Sequence, residues 1–382
     1  MTKPDKLLQE FEIDKNSWKL TKFSDVAIQN KKIIDRENTN LKKYVKGDHM
    51  GSEDLHLRSW GELTDEYLGP AFIRKFDEKD ILYGSRRTYL RKVVIAPFSG
   101  ITSNTTFVIK PNKENINSDL LPFIMLSERF AENSIKNSKG SVNPYINWKD
   151  IAKYQFLLPP KKEQTKLAEL LWTMDEVIEK QKIVLDKLKI LDLSQLNHFF
   201  DDYQPSEAKK LKDIVFIKKG KKPPILLKEG DGLPYCTLKY LRTGKYEYIV
   251  PQEYSAQLEK IDNNDLLVVW DGNAAGEIMF GKNGIIASTM CSLKVKDKDF
   301  LKDYVFQVIR SKESYLRYAS IGSAIPHIDP MVFNKIRIPK VNINKQAIIT
   351  KIFMEIEKSI KASEILILKT KVMQKNLINQ IF

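Results

Sequence analysis

The chain has 382 residues, a formal net charge of +14 and a sequence pI near 9.3. That length fits two domains with connecting elements better than one core, and a content of 42% hydrophobic residues excludes a largely disordered polymer. The positive surplus favours a polyanionic partner, because each Lys or Arg that neutralises a phosphate releases condensed counterions.

The opening Met1-Thr2-Lys3-Pro4-Asp5-Lys6 is charged and lacks the apolar core of a signal segment. No apolar run approaches the roughly 20 residues that cross a bilayer, so a soluble, cytoplasmic chain with no membrane partner is expected. Cys236 and Cys291 stand far apart outside any C-x-x-C pattern, which argues against a zinc ribbon or a disulfide framework.

After Leu20-Thr21-Lys22-Phe23-Ser24-Asp25-Val26 comes a polar stretch, Gly47-Asp48-His49-Met50-Gly51-Ser52. With Glu53, Asp54 and His56 it offers nitrogen and oxygen ligands at short spacing, but its histidines do not stand at a helical or hairpin interval. It is read as an interface loop that holds no metal, with Asp48, His49 and Met50 as candidate contacts to bases or phosphates. Asp80-Ile81-Leu82-Tyr83 predicts a strand, and Gly84-Ser85-Arg86-Arg87-Thr88-Tyr89-Leu90-Arg91-Lys92 succeeds it as one basic loop. Arg suits bidentate contact with guanine or phosphate, so Ser85, Arg86, Arg87, Tyr89, Arg91 and Lys92 are candidates; a solvated hairpin is the plain alternative. Lys139, Ser141 and Asn143 mark a second, phosphate-friendly loop around Gly140. Short β-rich runs (Val93-Val94-Ile95-Ala96, Thr106-Phe107-Val108-Ile109) lie between.

Pro159-Pro160 suits a helix start, and the segment after this boundary occurs twice. A shift of 182 carries residues 164–200 onto 346–382 without a gap, with identities at Gln164/Gln346, Ile178/Ile360, Ile183/Ile365, Lys187/Lys369, Lys189/Lys371, Asn197/Asn379 and Phe200/Phe382. Both copies carry a four-three rhythm free of Pro and Gly. The first runs Leu167, Leu171, Met174, Ile178, Gln181, Leu185, Leu188, Asp192, Gln195, Phe199. A seam of that length predicts two long helices packed on each other, antiparallel, with polar positions fixing register. Two separate amphipathic helices are the alternative.

The repeat continues upstream with gaps. Residues 20–26 correspond loosely to 211–215, 80–84 to 265–269, and 140–146 to 322–328. The joint falls at the polar linker Asp201-Asp202-Tyr203-Gln204-Pro205-Ser206. Matching candidates in the second half are Lys219 and Lys221, Lys239 and Tyr240, Asp271 and Asn273 of an Asp-Gly-Asn turn, and Ser323 and His327. Asp271 and Asn273 suit a cytosine amino group or an adenine edge; a β-turn role fits them nearly as well. The Gly47-Asp48-His49-Met50 stretch has no clear counterpart there. The expected fold is α+β: two mixed α/β globules (1–158 and 201–338), each followed by a long helix (159–200 and 339–382), related by pseudo-twofold symmetry.

Catalytic signatures are missing. The sequence has no G-x-x-x-x-G-K-[ST] phosphate loop, no Gly-rich turn for a dinucleotide or adenosyl-methionine pocket and no convincing spaced Asp…Glu-x-Lys cluster for metal-dependent cleavage. Asn143-Pro144-Tyr145 lacks the second proline of the amino-methyltransferase signature. The chain reads as a recogniser with no chemistry of its own.

The order and duplication of these marks resemble the specificity subunit of type I restriction-modification systems. The resemblance rests on Ile217-Lys218-Lys219-Gly220-Lys221-Lys222-Pro223, the Gly-Ser loops at Gly140 and Gly322, the helix starts Leu157-Leu158-Pro159-Pro160…Gln164 and Ile338-Pro339…Gln346, and Gly47-Asp48-His49-Met50 with its continuation through Asp54-Leu55. It covers essentially the whole chain. It implies two target recognition domains, each reading half of a bipartite target in double-stranded DNA, and helices that set the spacer and dock two modification subunits. It also implies no cofactor on this chain: S-adenosylmethionine belongs to the modification subunits, ATP and Mg to a restriction subunit. The contrasting possibility is a coiled-coil scaffold whose globules bind proteins. The two separate on salt: phosphate contacts predict DNA affinity falling at least about tenfold between roughly 50 and 200 mM salt, measured by fluorescence anisotropy, whereas the scaffold reading predicts no DNA binding to lose.

Overall fold

The computed structural model describes residues 13–35, 38–201, 207–322 and 325–382. The chain falls into two compact units, Met1–Lys182 with Ile365–Phe382, and Ile183–Glu364. The division cuts each long helix rather than falling at its end.

In the first unit, one four-stranded antiparallel sheet runs Ala27–Asn30, Thr106–Pro111, Ile81–Gly84, Val93–Ile95. A second runs Gly61–Glu62, Lys43–Val45, Gly100–Ser103, Phe72–Phe76, with its central pair parallel. A two-stranded ribbon, Lys19–Lys22 with Gln155–Leu158, leads into the long helix Lys161–Asp201. The second unit repeats this plan strand for strand. Its sheets run Val215–Lys219, Met290–Val295, Leu266–Val269, Ile278–Phe280 and Ile249–Pro251, Gly232–Cys236, Gly284–Ile286, Lys260–Ile261. Again the second sheet has a parallel central pair. The ribbon Ala208–Lys210 with Arg337–Pro339 leads into the long helix Ile343–Ile381.

The upstream correspondence is three residues off where the sequence sets Leu20 against Leu211. The short helices Phe23–Val26 and Leu211–Ile214 are the equivalent elements. Phe23 N–H donates to the Tyr154 carbonyl just as Leu211 N–H donates to Ile336. Apolar similarity alone masked the shift, since each segment begins with Leu.

Each unit's core combines the start of one long helix with the end of the other. Ala168 and Leu171 bury beside Ile378, Ile381 and Phe382 in the first unit; Ile349 and Phe353 bury beside Leu196 and Phe200 in the second. Within the second unit Lys189 pairs with Glu364 and Phe199 meets Phe353, so the helix segments run antiparallel. The buried stripe of the first helix departs from the four-three rhythm in the sequence. Ala168, Asp175 and Leu196 are buried where Leu167, Met174 and Gln195 were expected. The helix faces its globule as well as its partner helix, which widens the buried face beyond a coiled-coil seam.

A buried glutamine ties each helix start to its globule. Gln164 is 2% exposed; its Oε1 accepts from the Asn117 N–H (2.7 Å) and its Nε2 donates to the Pro159 carbonyl (2.9 Å). Gln346 is fully buried; its Oε1 accepts from the Leu301 N–H (2.8 Å), and its Nε2 donates to the Asp299 (2.7 Å) and Val341 (2.8 Å) carbonyls.

Other ties differ between the units. In the second, Arg310 forks onto both Asp192 oxygens (2.9 and 3.0 Å) and reaches Glu357 at 2.7 Å. The equivalent of Arg310 in the first unit is Leu126: Ser127 and Ser311, the next residues along, each donate a hydroxyl back to a carbonyl three residues before. There Asp175, the repeat partner of Glu357, instead holds His56 Nε2 at 2.6 Å, and that bond raises the imidazole above its ordinary pKa. Replacing Gln346 by Ala leaves the partly buried Leu301 N–H and two carbonyls without this partner. It is expected to cost about 1–3 kcal/mol in denaturant unfolding, far more than substituting a surface residue such as Lys361.

Candidate nucleic-acid interface

The basic loop after strand Ile81–Gly84 is closed by two residues in left-handed conformation, Arg87 (φ 50°) and Arg91 (φ 50°), around a single turn at Thr88–Leu90. A second loop folds against it. Lys139 and Tyr145 exchange backbone hydrogen bonds (2.8 and 2.9 Å), and Gly140 takes φ 89° to begin the excursion between them. Three contacts join the two loops: Arg87 N–H donates to the Pro144 carbonyl (2.6 Å), Arg87 Nε to Asn143 Oδ1 (2.9 Å), and Thr88 shares a hydrogen with Ser138 (2.8 Å). Arg86, Arg87, Tyr89, Lys139, Ser141 and Asn143 are exposed around this junction.

The polar stretch at 47–50 joins the same region. Gly47–His49 forms one 3-10 turn, and Lys92 Nζ donates to the Gly47 carbonyl at 2.6 Å. Asp48 is exposed. The His49 ring packs on Tyr44, and its Nδ1 accepts from the Lys46 N–H at 3.3 Å. Burial, then the Lys46 charge, holds this imidazole below its usual pKa. With Nδ1 accepting, the neutral ring carries its proton on Nε2.

Three candidates are taken up by the fold. Met50 is 2% exposed in a core with Val45, Leu57 and Phe76. Ser85 is buried and donates its hydroxyl to the Thr105 carbonyl at 2.6 Å. Arg91 pairs with Glu53 and Glu128, each at 2.7 Å. Nor do the acidic and histidine residues of 48–56 gather: His56 goes to Asp175, Asp54 to Arg58, and Glu53 to Arg91 and Lys375. Among the described residues no group of three or more His, Cys, Asp or Glu is placed to hold a metal.

The second unit builds the same junction from other residues. Asp271 bridges His327 as Arg86 bridges Tyr145, and Gly272 N–H donates to the Pro326 carbonyl (2.8 Å) as Arg87 donates to Pro144. Ile321 and His327 exchange backbone hydrogen bonds as Lys139 and Tyr145 do, and Gly322 takes φ 103°. Ser323 lies outside the described residues. Lys219 Nζ reaches Asp271 Oδ2 at 2.9 Å; Lys221 and Asn273 are exposed. Asp271, Asn273, Thr289, Arg242 and Arg317 line a recess of about 430 Å³.

The structure also supplies the counterpart that the sequence lacked for 47–50. Val45 pairs with Thr102 as Cys236 pairs with Ile286, each in the parallel central pair. Counting on from these, Asp48 and His49 match Lys239 and Tyr240, which lie on the helix Leu238–Thr243. A different length of helical turn hid the match. Lys239 is exposed and pairs with Glu247, while Tyr240 stacks edge-on to Tyr246.

Arg87 holds a left-handed backbone where the second unit has Gly272 (φ 101°). A non-glycine residue there costs about 1 kcal/mol, so the side chain is kept against a backbone penalty. Arg87→Gly is therefore expected to leave thermal stability unchanged or raise it by up to about 1 kcal/mol, while weakening DNA binding several-fold in an anisotropy titration.

The chain is similar to known proteins in both sequence and fold. It is 36% identical over 156 residues to the MjaVIII specificity subunit of Methanocaldococcus jannaschii, covering 40% of this chain and 36% of that protein. It is 27% identical over 172 residues to the EcoDI specificity subunit of Escherichia coli, covering 44% and 37%. The matched regions thus span well under two thirds of these relatives. In fold it is similar to a chain from a type I R-M system solved for its complex assembly and conformational transition (TM-score 0.61, 16% identity, covering 96% of this chain and 97% of that one). It is also similar to the S subunit of a type I restriction-modification system from M. genitalium (TM-score 0.59, 14% identity, covering 98% of each). The model of the type I restriction modification DNA specificity domain matches residues 15–187 and 203–369, and the chain belongs to that family.

Proposed function

We propose that this chain is the DNA-specificity subunit of a type I restriction-modification enzyme. It reads a bipartite target in double-stranded DNA through the loop junctions of its two units and carries no catalytic group of its own. Its partners on this reading are two modification subunits, which bring S-adenosylmethionine, and restriction subunits, which bring ATP and Mg. Among the described residues no helix is long and apolar enough to cross a membrane.

The observation that carries this reading is the inequality of the two halves. The loop junctions share backbone geometry and differ in side chains, as two different half-sites require. The helices share side chains, including ones the fold does not bury. Ile183, Val184, Ile190 and Leu191 in the second unit recur as Ile365, Leu366, Val372 and Met373 in the first. All eight are between 47 and 68% exposed. Apolar side chains left uncovered at repeated positions mark a contact surface, and its duplication suits two copies of one partner.

Native mass spectrometry of the chain with its modification subunit tests this. The wild type is expected to hold two modification subunits, Ile190→Asp or Val372→Asp one, and the double variant none, each variant keeping its non-specific DNA affinity. Unchanged stoichiometry in the double variant would contradict the assignment of this surface.

A further inference from the structure

Positions 86 and 271 occupy one place in the repeated plan. Each bridges the second loop at matched residues, Tyr145 and His327, and each precedes a residue of positive φ, Arg87 and Gly272, whose N–H donates to the proline carbonyl of that loop. The backbone therefore presents both side chains from the same scaffold. Their chemistry is opposite. Arg86 is exposed, and among the described residues its side chain has no hydrogen-bond or ion-pair partner. Asp271 is partly buried, lines the recess and spends Oδ2 on Lys219, leaving Oδ1 as an acceptor. Charge is reversed at the neighbouring matched position as well, Asp48 against Lys239.

A bare carboxylate is repelled by a phosphate backbone. Lys219 at 2.9 Å offsets that repulsion, which favours Asp271 at a DNA surface over an unpaired acid. Among base edges in the major groove, a carboxylate fits the cytosine amino group; adenine sets its N7 acceptor beside its amino group, and two acceptors repel. The guanidinium of Arg86 fits the paired O6 and N7 acceptors of guanine.

Resting on the functional reading above, we propose that residues 86 and 271 are the same base-reading position in the two units. Arg86 selects a guanine in one half-site, and Asp271 selects a cytosine in the other. The reversed charge at this position is a direct cause of the two half-sites being different.

The test uses the full chain assembled with its modification subunit, selecting bound duplexes from a randomised DNA pool. Arg86→Gln should lower guanine preference at one base pair of one half-site by about tenfold or more, and leave the other half-site unchanged. Asp271→Asn, which keeps the size of the side chain, should do the same to a cytosine in the opposite half-site. Either variant retaining the wild-type consensus overturns the assignment for its residue. So does a uniform loss of affinity with no change of consensus, the signature of a phosphate contact. A wild-type complex that selects no bipartite consensus overturns the functional reading itself, and the assignment with it.

Discussion

A buried amide at the start of each long helix is the interaction on which the rest of this molecule depends. Gln164 and Gln346 each satisfy backbone groups of the globule and of the turn that enters the helix. Both side chains are buried, so the loss of either leaves backbone groups short of a partner. Together with the buried Ala168 and Leu171, and Ile349 and Phe353, the two glutamines anchor each helix start to its globule. On the proposed function each helix start must hold its own globule firmly, because the helix carries the recognition loops of that unit.

Around those shared clasps the molecule separates what must be common from what must differ. The common parts are the strand order, the ribbon that leads into each helix, the core residues at both helix ends and the exposed apolar face. The differing parts are the side chains mounted on the paired loops, and also the ties between helix and globule. Arg310 with Asp192 and Glu357 serves one unit, and His56 with Asp175 serves the other. An Arg cannot take the place of Leu126 without meeting Gln374 where Asp192 would have been. The tie between helix and globule therefore differs in charge between the two units, although Asp175 stands in the first where Glu357 stands in the second.

Much of this was legible in the sequence, and the reason is physical. The helices repeat without a gap because helical register tolerates none: one inserted residue rotates every later side chain by about 100°. The globules tolerate insertions in their turns, so their repeat survives only in outline, at a strand such as 80–84 against 265–269 and at the glycine turns Gly140 and Gly322. The equivalence of Asp48-His49 with Lys239-Tyr240 was hidden because a single 3-10 turn in one unit is a longer helix in the other. Candidate contacts chosen by residue type were partly absorbed by the fold. Met50, Ser85 and Arg91 look like recognition chemistry in the string, yet their burial and partners are long-range facts that no local pattern carries. The buried stripe of the first helix shifted for a similar reason, since heptad spacing describes contact with another helix and not with a sheet.

On the proposed function this chain chooses where a partner enzyme modifies DNA. Mapping modified adenines across the genome of cells with and without the chain tests it most directly. Methylation at one asymmetric, bipartite sequence is expected to be present with the chain and absent without it. An adenine methylation pattern that is the same in both would contradict the claim.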